Sequence, residues 1–323
     1  ITLRLLINIK KGVFVMDKTN AGALEVMISA NINNQFPDST PTEEEFENIA
    51  DDLRRNLNPS YPVTDDEFDA LKRRLKANIV VVMDIGVVIK DADLRHKSWL
   101  PSRRSEPNFV FFFWNRYKKY LEERKQWNSR VTENLGIVSD EIIDLLGDPK
   151  SEYDFQRRGL VLGDVQSGKT ANYTAICNKA ADTGYRVIVI LAGVIESLRR
   201  QTQERLDAEF SGRKSEYFFD PTKKEIVNEP FGVGRYGSGK LIASFTSVVK
   251  DFDINLLKSN NLSLLSVTVP VVFVVKKNKR ILNNLIRWLR NNNAVKDKEN
   301  KIDLPMLLID DEADNASVNT KKE

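Results

Sequence analysis

From about residue 151 onward the sequence predicts an α/β fold built on a parallel sheet, and three observations predict it. The segments "RRGLVLG", "KTANYTAICNKAADTG" and "YRVIVILAG" read as a short strand, a helix stopped by Gly184 and a β-branched apolar strand. That is a βαβ unit of ordinary length. A second strand-then-helix pattern follows in "VPVVFVVKKNKRILNNLIRWLR", and "LPMLLIDDEAD" is an apolar strand running into acids. Strands apolar on both faces and alternating with helices belong to parallel sheets covered on both sides.

Residues 16–150 predict a mainly helical N-terminal domain. Thr42 with Glu45 before "FENIADDLRRNL", and Thr64 with Glu67 before "FDALKRRLKA", each place a hydroxyl acceptor and a returning carboxylate at a helix start. The "NPSYP" between them is a turn. A third helix is expected from about Phe109 to Asn134, with Phe113, Trp114, Tyr117, Tyr120, Leu121 and Trp127 as an aromatic face. Such a stripe at helical spacing reads as core. A fourth helix, "SDEIIDLL", is expected to be capped by Ser139 and stopped by Gly147 and Pro149. The run Ile79 to Ile89, "IVVVMDIGVVI", is too short for a bilayer and carries Asp84, so it reads as strand or buried core and no membrane partner is expected. Residues 1–15 precede Met16, and Lys10, Lys11 and Gly12 can be encoded by purines alone, as in a ribosome-binding sequence. The expectation is a start at Met16 and a translated leader before it.

Composition narrows the chemistry. Among 323 residues there is one cysteine, Cys177, which excludes an internal disulfide and any multi-cysteine metal site and suits the reducing cytoplasm. The single His96 removes every mechanism that needs two histidines. A net charge of +3 is too small to argue for nucleic acid by itself.

One motif is specific. Gly163, Asp164, Val165, Gln166, Ser167, Gly168, Lys169, Thr170 and Ala171 form a complete phosphate-binding loop pattern between an expected strand and an expected helix. Its glycines let successive N–H groups converge on the phosphates of ATP. Lys169 reaches the β and γ oxygens in binding and catalysis, and the Thr170 hydroxyl binds Mg2+. In "MLLIDDEAD" a strand delivers Asp310, Asp311, Glu312, Ala313 and Asp314. Asp311 is assigned to magnesium and Glu312 to activation of the attacking water; a register slip of one residue would give the metal to Asp310.

The second glycine cluster, "GVGRYGSGK", has Leu241 where the magnesium hydroxyl should be and leads into the strand-like "LIASFTSVV", so it reads as a flexible turn. In "GVIESLRRQTQERL", Ser197, Arg199, Arg200 and Gln201 are candidates for DNA backbone contact, against the plain reading of a solvated helix. Phe155 and Gln156 are placed to read adenine, against the plain reading of packing.

The segments "RRGLVLGDVQSGKTANY", "KAADTGYRVIVILAG", "LRRQTQERLD" and "LLIDDEADNASVNT" resemble the Z-one domain family of endonuclease-type proteins, and the resemblance runs from about Phe109 to the C-terminus. It implies a RecA-like P-loop NTPase lobe over 151–323 and a superfamily-two helicase-type ATPase using ATP and Mg2+ on DNA. It also implies partner proteins from restriction or phage-defence systems, and a DEAD motif at Asp311, Glu312, Ala313 and Asp314. The sequence departs from the family in lacking a "TATP"-like segment and second lobe after Asp314, so weak hydrolysis is expected of this chain. The Glu-x-Lys of Glu123 to Lys125 lies on an expected helix without a nearby acid-bearing strand, which speaks against a nuclease centre. A metal-dependent endonuclease and a nonenzymatic ATP-binding module are the competing readings.

Overall fold

The computed structural model of the protein describes residues 20–36, 41–57, 59–79, 96–125, 127–162, 169–217, 222, 229–293, 302–311 and 313. The expected leader at 1–15, most of the run at 79–89, the loop Gly163 to Gly168, Glu312 and Asp314 lie outside the described residues. Two compact units are present.

The first holds three helices, α1 (Asn20–Gln35), α2 (Glu43–Leu57) and α3 (Asp65–Ile79), which share a core of Leu24, Ile28, Ile32, Phe46, Phe68, Leu71 and Leu75. Both capping boxes form as the sequence predicts. The Thr42 and Thr64 hydroxyls accept from the Glu45 and Glu67 amides at 3.3 Å, and the two carboxylates accept the threonine amides at 2.7 and 2.9 Å. These bonds hold the carboxyls of Glu45 and Glu67 below the ordinary range. Helix α1 was not expected from sequence. Its apolar residues at 24, 28 and 32 have helical spacing, but no acidic first turn marks its start.

The second unit is α/β. It contains a four-stranded, all-parallel sheet among the described residues: β1 (Val187–Ala192), β2 (Ala243–Ser244), β3 (Val271–Val275) and β4 (Met306–Asp311), in the order β2-β3-β1-β4. The two faces bury different residues. Ile188, Ile190, Val272, Val274 and Leu307 pack with Tyr173, Ile176 and Cys177 of α7 (Lys169–Thr183). Val187, Val189, Val271, Phe273 and Val275 pack with Leu285, Trp288 and Leu289 of α10 (Lys279–Asn293). The period of two along each strand is what divides the core into two layers. Around the sheet lie α4 (Leu100–Arg104), α5 (Phe112–Lys119), the end of α6 (Ser129–Leu145), α8 (Glu196–Leu206) and α9 (Ile254–Ser259). Asp144 caps α4 by accepting the Trp99 and Leu100 amides at 2.8 Å, and Asp182 caps α5 by accepting those of Phe113 and Trp114 at 2.9 Å. Among the described residues no helix is long and apolar enough to cross a membrane.

Four expectations are corrected. Residues 158–162 form no strand: Leu160, Val161 and Leu162 are exposed, because no described strand lies beside them to take their backbone groups. The single helix expected over Phe109 to Asn134 is interrupted. Its first part ends in a π turn, Tyr120–Arg124, and α6 restarts with Asn128 accepting the Arg130 amide at 2.9 Å. Ser139 therefore caps nothing; it lies inside α6, where its hydroxyl donates back to the Leu135 carbonyl at 2.6 Å. Finally, "LIASFTSVV" yields only the two residues of β2. The Thr246 hydroxyl, not a backbone carbonyl, accepts the Val274 amide at 2.8 Å, while it donates to Gln203 at 2.7 Å. The aromatic stripe of α5 is core as expected, with Phe113, Trp114 and Tyr117 buried.

Candidate functional site

Helix α7 begins at Lys169, so Lys169, Thr170 and Ala171 are its first turn, Lys169 exposed and the other two half-buried. The first amides of a helix have no intrahelical acceptor and sit at the positive end of its dipole. At the other end of the helix Gly184 turns the chain at φ +114 into β1.

The acids arrive on β4. In the parallel register Asp310 lies opposite Leu191 and Asp311 opposite Ala192, at the carboxyl end of the sheet. Leu307 and Ile309 face the α7 layer, so alternation puts Asp311 on that face and Asp310 on the other. The contacts agree. Lys277, just after β3, meets Asp310 at 2.5 Å, and its amide donates to the Gly193 carbonyl at 2.8 Å. Tyr173, one turn into α7, has its hydroxyl pushed well above the ordinary phenol value by burial, with the Asp311 charge adding to the effect. The register therefore selects Asp311, not Asp310, as the acid beside the start of α7. Cys177 behind it is fully buried and its thiol is pushed up by burial, which leaves it unreactive.

No group of three or more His, Cys, Asp or Glu with metal-cage geometry exists among the described residues. Magnesium needs none, since one or two carboxylates with substrate phosphates suffice, and a carboxylate with a threonine hydroxyl is a hard-oxygen set that fits it.

Of the four residues proposed to meet DNA, three share one exposed stripe of α8: Ser197, Arg200 and Gln201. Arg199 faces the opposite way and is fully buried. Its guanidinium donates to the carbonyls of Ser247 at 2.9 Å and Val248 at 3.0 Å, and to Glu196 at 2.8 Å, so it is a strut of the fold and not a surface contact. Burial works against ionisation of Glu196, but hydrogen bonds from Arg199 and Lys276 hold its carboxyl below the ordinary range. Behind α8, Asp207 accepts the amide and hydroxyl of Ser215 at 2.7 and 2.6 Å and the Gln203 amide at 2.9 Å, a buried polar network with a structural role.

Two decoys resolve as packing. Gly232–Tyr236 is a turn as expected, of 3-10 form and closely packed. A Cβ on Gly232 would meet the Ala208 carbonyl oxygen at 1.8 Å and φ there is +50. Phe155 packs edge-on to Tyr185 at 6.3 Å and belongs to the core layer beside α7, and Gln156 is exposed. Sequence reasoning missed Lys277, whose partner is distant in the chain; two lysines closing a buried strand were the only signal.

Neither family models, curated proteins nor solved structures gave a match to this chain.

Proposed function

We propose that this chain binds ATP with Mg2+ and is a helicase-like ATPase lobe, RecA-like in plan over 151–323 and preceded by a mainly helical domain, that couples hydrolysis to DNA. The observation that carries the reading is the convergence of two separate motifs. The helix opened by Lys169 packs on the sheet face to which alternation assigns Asp311, and the sequence leading into that helix is a phosphate-loop pattern.

The roles follow from chemistry. The loop amides and Lys169 hold the β and γ phosphates, and Thr170 with Asp311 hold the metal shell. Bound magnesium supplies charge neutralisation on those phosphate oxygens. Glu312 takes the proton of the attacking water. Lys277 fixes the carboxyl end of β4 through Asp310 and so positions the acids that follow. Ser197, Arg200 and Gln201 are the DNA contacts this reading retains. A setting among restriction or defence proteins rests on the sequence resemblance, and a cytoplasmic one on the single cysteine.

Equilibrium ATP binding and steady-state turnover test it together. Lys169→Ala should weaken ATP binding about 10- to 100-fold, the worth of a charged hydrogen-bonding group. Glu312→Gln should keep binding and lower turnover about 10²- to 10⁴-fold, the range of a general base. Equal loss of binding in both variants overturns the division of roles, and no ATP binding in the parent chain overturns the reading.

A further inference from the structure

We propose that the exposed face of α10 is a nucleic-acid surface that grips the phosphodiester backbone without reading bases. This goes beyond the ATPase reading and does not depend on it. Over its fifteen residues, "KRILNNLIRWLRNNN", α10 has no acid. Lys279, Arg280, Arg287 and Arg290 are exposed, and their side chains have no ion-pair or hydrogen-bond partner among the described residues. Asn278, Lys279, Arg280, Asn283, Asn284 and Arg287 line a shallow open groove along the helix.

Protein surfaces ordinarily intersperse charges of both signs, and like charges on one helix repel. Four cations on one helix with no acidic partner among the described residues carry a cost that a polyanion removes. Among the described residues, Asp251 and Asp253 share a groove with Arg280 but form no ion pair with it: they lie 3.9 Å from Arg199 and from Lys250. The opposite side of α10 is anchored by Leu285, Trp288 and Leu289 in the sheet core, so the charged face is held rigid.

The chemistry favours a nucleic-acid backbone over other anions. From Lys279 to Arg290 the cations extend about 16 Å along the helix axis, a linear array suited to a continuous line of charge and not to a single carboxylate. Asparagine carboxamides between them donate to phosphate oxygens. A lipid surface is disfavoured because an interfacial helix buries its apolar face in the bilayer, and the apolar face of α10 is already in the core. Ile286 is the exposed large hydrophobe on this helix among the described residues.

The test measures binding of a short mixed-sequence DNA duplex to the full chain without nucleotide, by fluorescence anisotropy across a salt series. The parent should bind with a steep salt dependence. The variant K279Q/R280Q/R287Q/R290Q should lose about tenfold or more in affinity at low salt, and its log–log salt slope should shrink by about 2 to 4. Circular-dichroism melting shows whether that variant is folded, and R287Q/R290Q, with half the charge removed, should show about half the change in slope. A companion R200Q/Q201A variant reports on α8 separately. No binding by the parent, an unchanged slope in the α10 variants, or binding to anionic phosphatidylserine vesicles but not to DNA would each overturn the proposal. Because ATP is absent throughout, a failure here and a failure of the ATPase reading are read independently.

Discussion

Helices α7 and α10 each have fifteen residues and lie on opposite faces of the same sheet, yet they use their side chains in different ways. Eleven residues of α7 are buried, so even its polar groups are committed inward. Lys179 reaches the Gly136 carbonyl at 2.5 Å and Asp140 at 2.7 Å under the Trp114 ring, and Asp182 caps α5. Only its first turn remains to meet a ligand. In α10 a strip of Leu285, Trp288 and Leu289 does the packing, flanked by half-buried Ile281 and Leu282, and the face that carries Lys279, Arg280, Arg287 and Arg290 is left to solvent. The difference teaches that a helix wrapped on all sides can offer chemistry at its end, whereas a half-wrapped helix offers it along its length.

The sharpest way to break the contrast is through the anchor. Trp288 is fully buried, with Phe245, Phe252 and Phe273 rings at 5.8 to 6.0 Å, so Trp288→Ala should cost about 3–5 kcal/mol in denaturant unfolding. A loss under 1 kcal/mol would mean that α10 is not held as described.

A second, intermediate effect belongs to α7 and is read against pH. Burial pushes the Asp182 carboxyl up to about 7, against the pull of the α5 amides, and burial pushes Asp207 up to about 6. Between the ordinary carboxylate value near 4 and these raised values the folded state holds protons that the unfolded chain has lost. Stability should therefore fall as pH rises from about 4 to about 7. Lys179, lowered to about 8 by burial, acts at higher pH: the folded state releases its proton first, and stability should rise from about pH 8 to the ordinary lysine value. Urea midpoints across pH should show the first slope flattened in Asp182→Asn. An unchanged slope would mean that Asp182 is ionised in the fold through the whole window.

The smallest effect sharpens the comparison from the other side. Arg287→Gln on the open face of α10 should change stability by no more than about 0.5 kcal/mol, because its side chain has no hydrogen-bond or ion-pair partner among the described residues. A larger loss would show that the cation supports the fold.

What could be read in advance follows the same division between local and distant causes. The capping boxes at Thr42 and Thr64 are local, and they form bond for bond. The runs that became β1 and β3 are apolar enough to announce burial on both faces, whereas the equally apolar run of β4 leaves Met306 and Leu308 exposed; the period of two then places Asp311 on the α7 side. "RRGLVLG" has the same local character, yet its described residues, 157–162, form no strand, because strand formation depends on a neighbour that so short a segment cannot specify. Arg199 looked like its exposed neighbour Arg200. Only the 100° turn between successive residues, with the carbonyls of Ser247 and Val248 waiting, separates a strut from a surface charge. The pairing of Lys277 with Asp310 joins elements far apart in sequence, so no spacing rule could announce it.

The sheet also runs as a clock. β1 is hydrogen-bonded to β3 on one side and β4 on the other, whereas β4 has β1 as its one partner among the described residues. Amides of β1 can trade their protons with solvent only when the unit opens as a whole, while the amides of β4 that point away from β1 need only local opening. Deuterium uptake should therefore spread inward from the outer strands of the described sheet, the two-residue β2 on one side and, on the other, the strand that carries the acids.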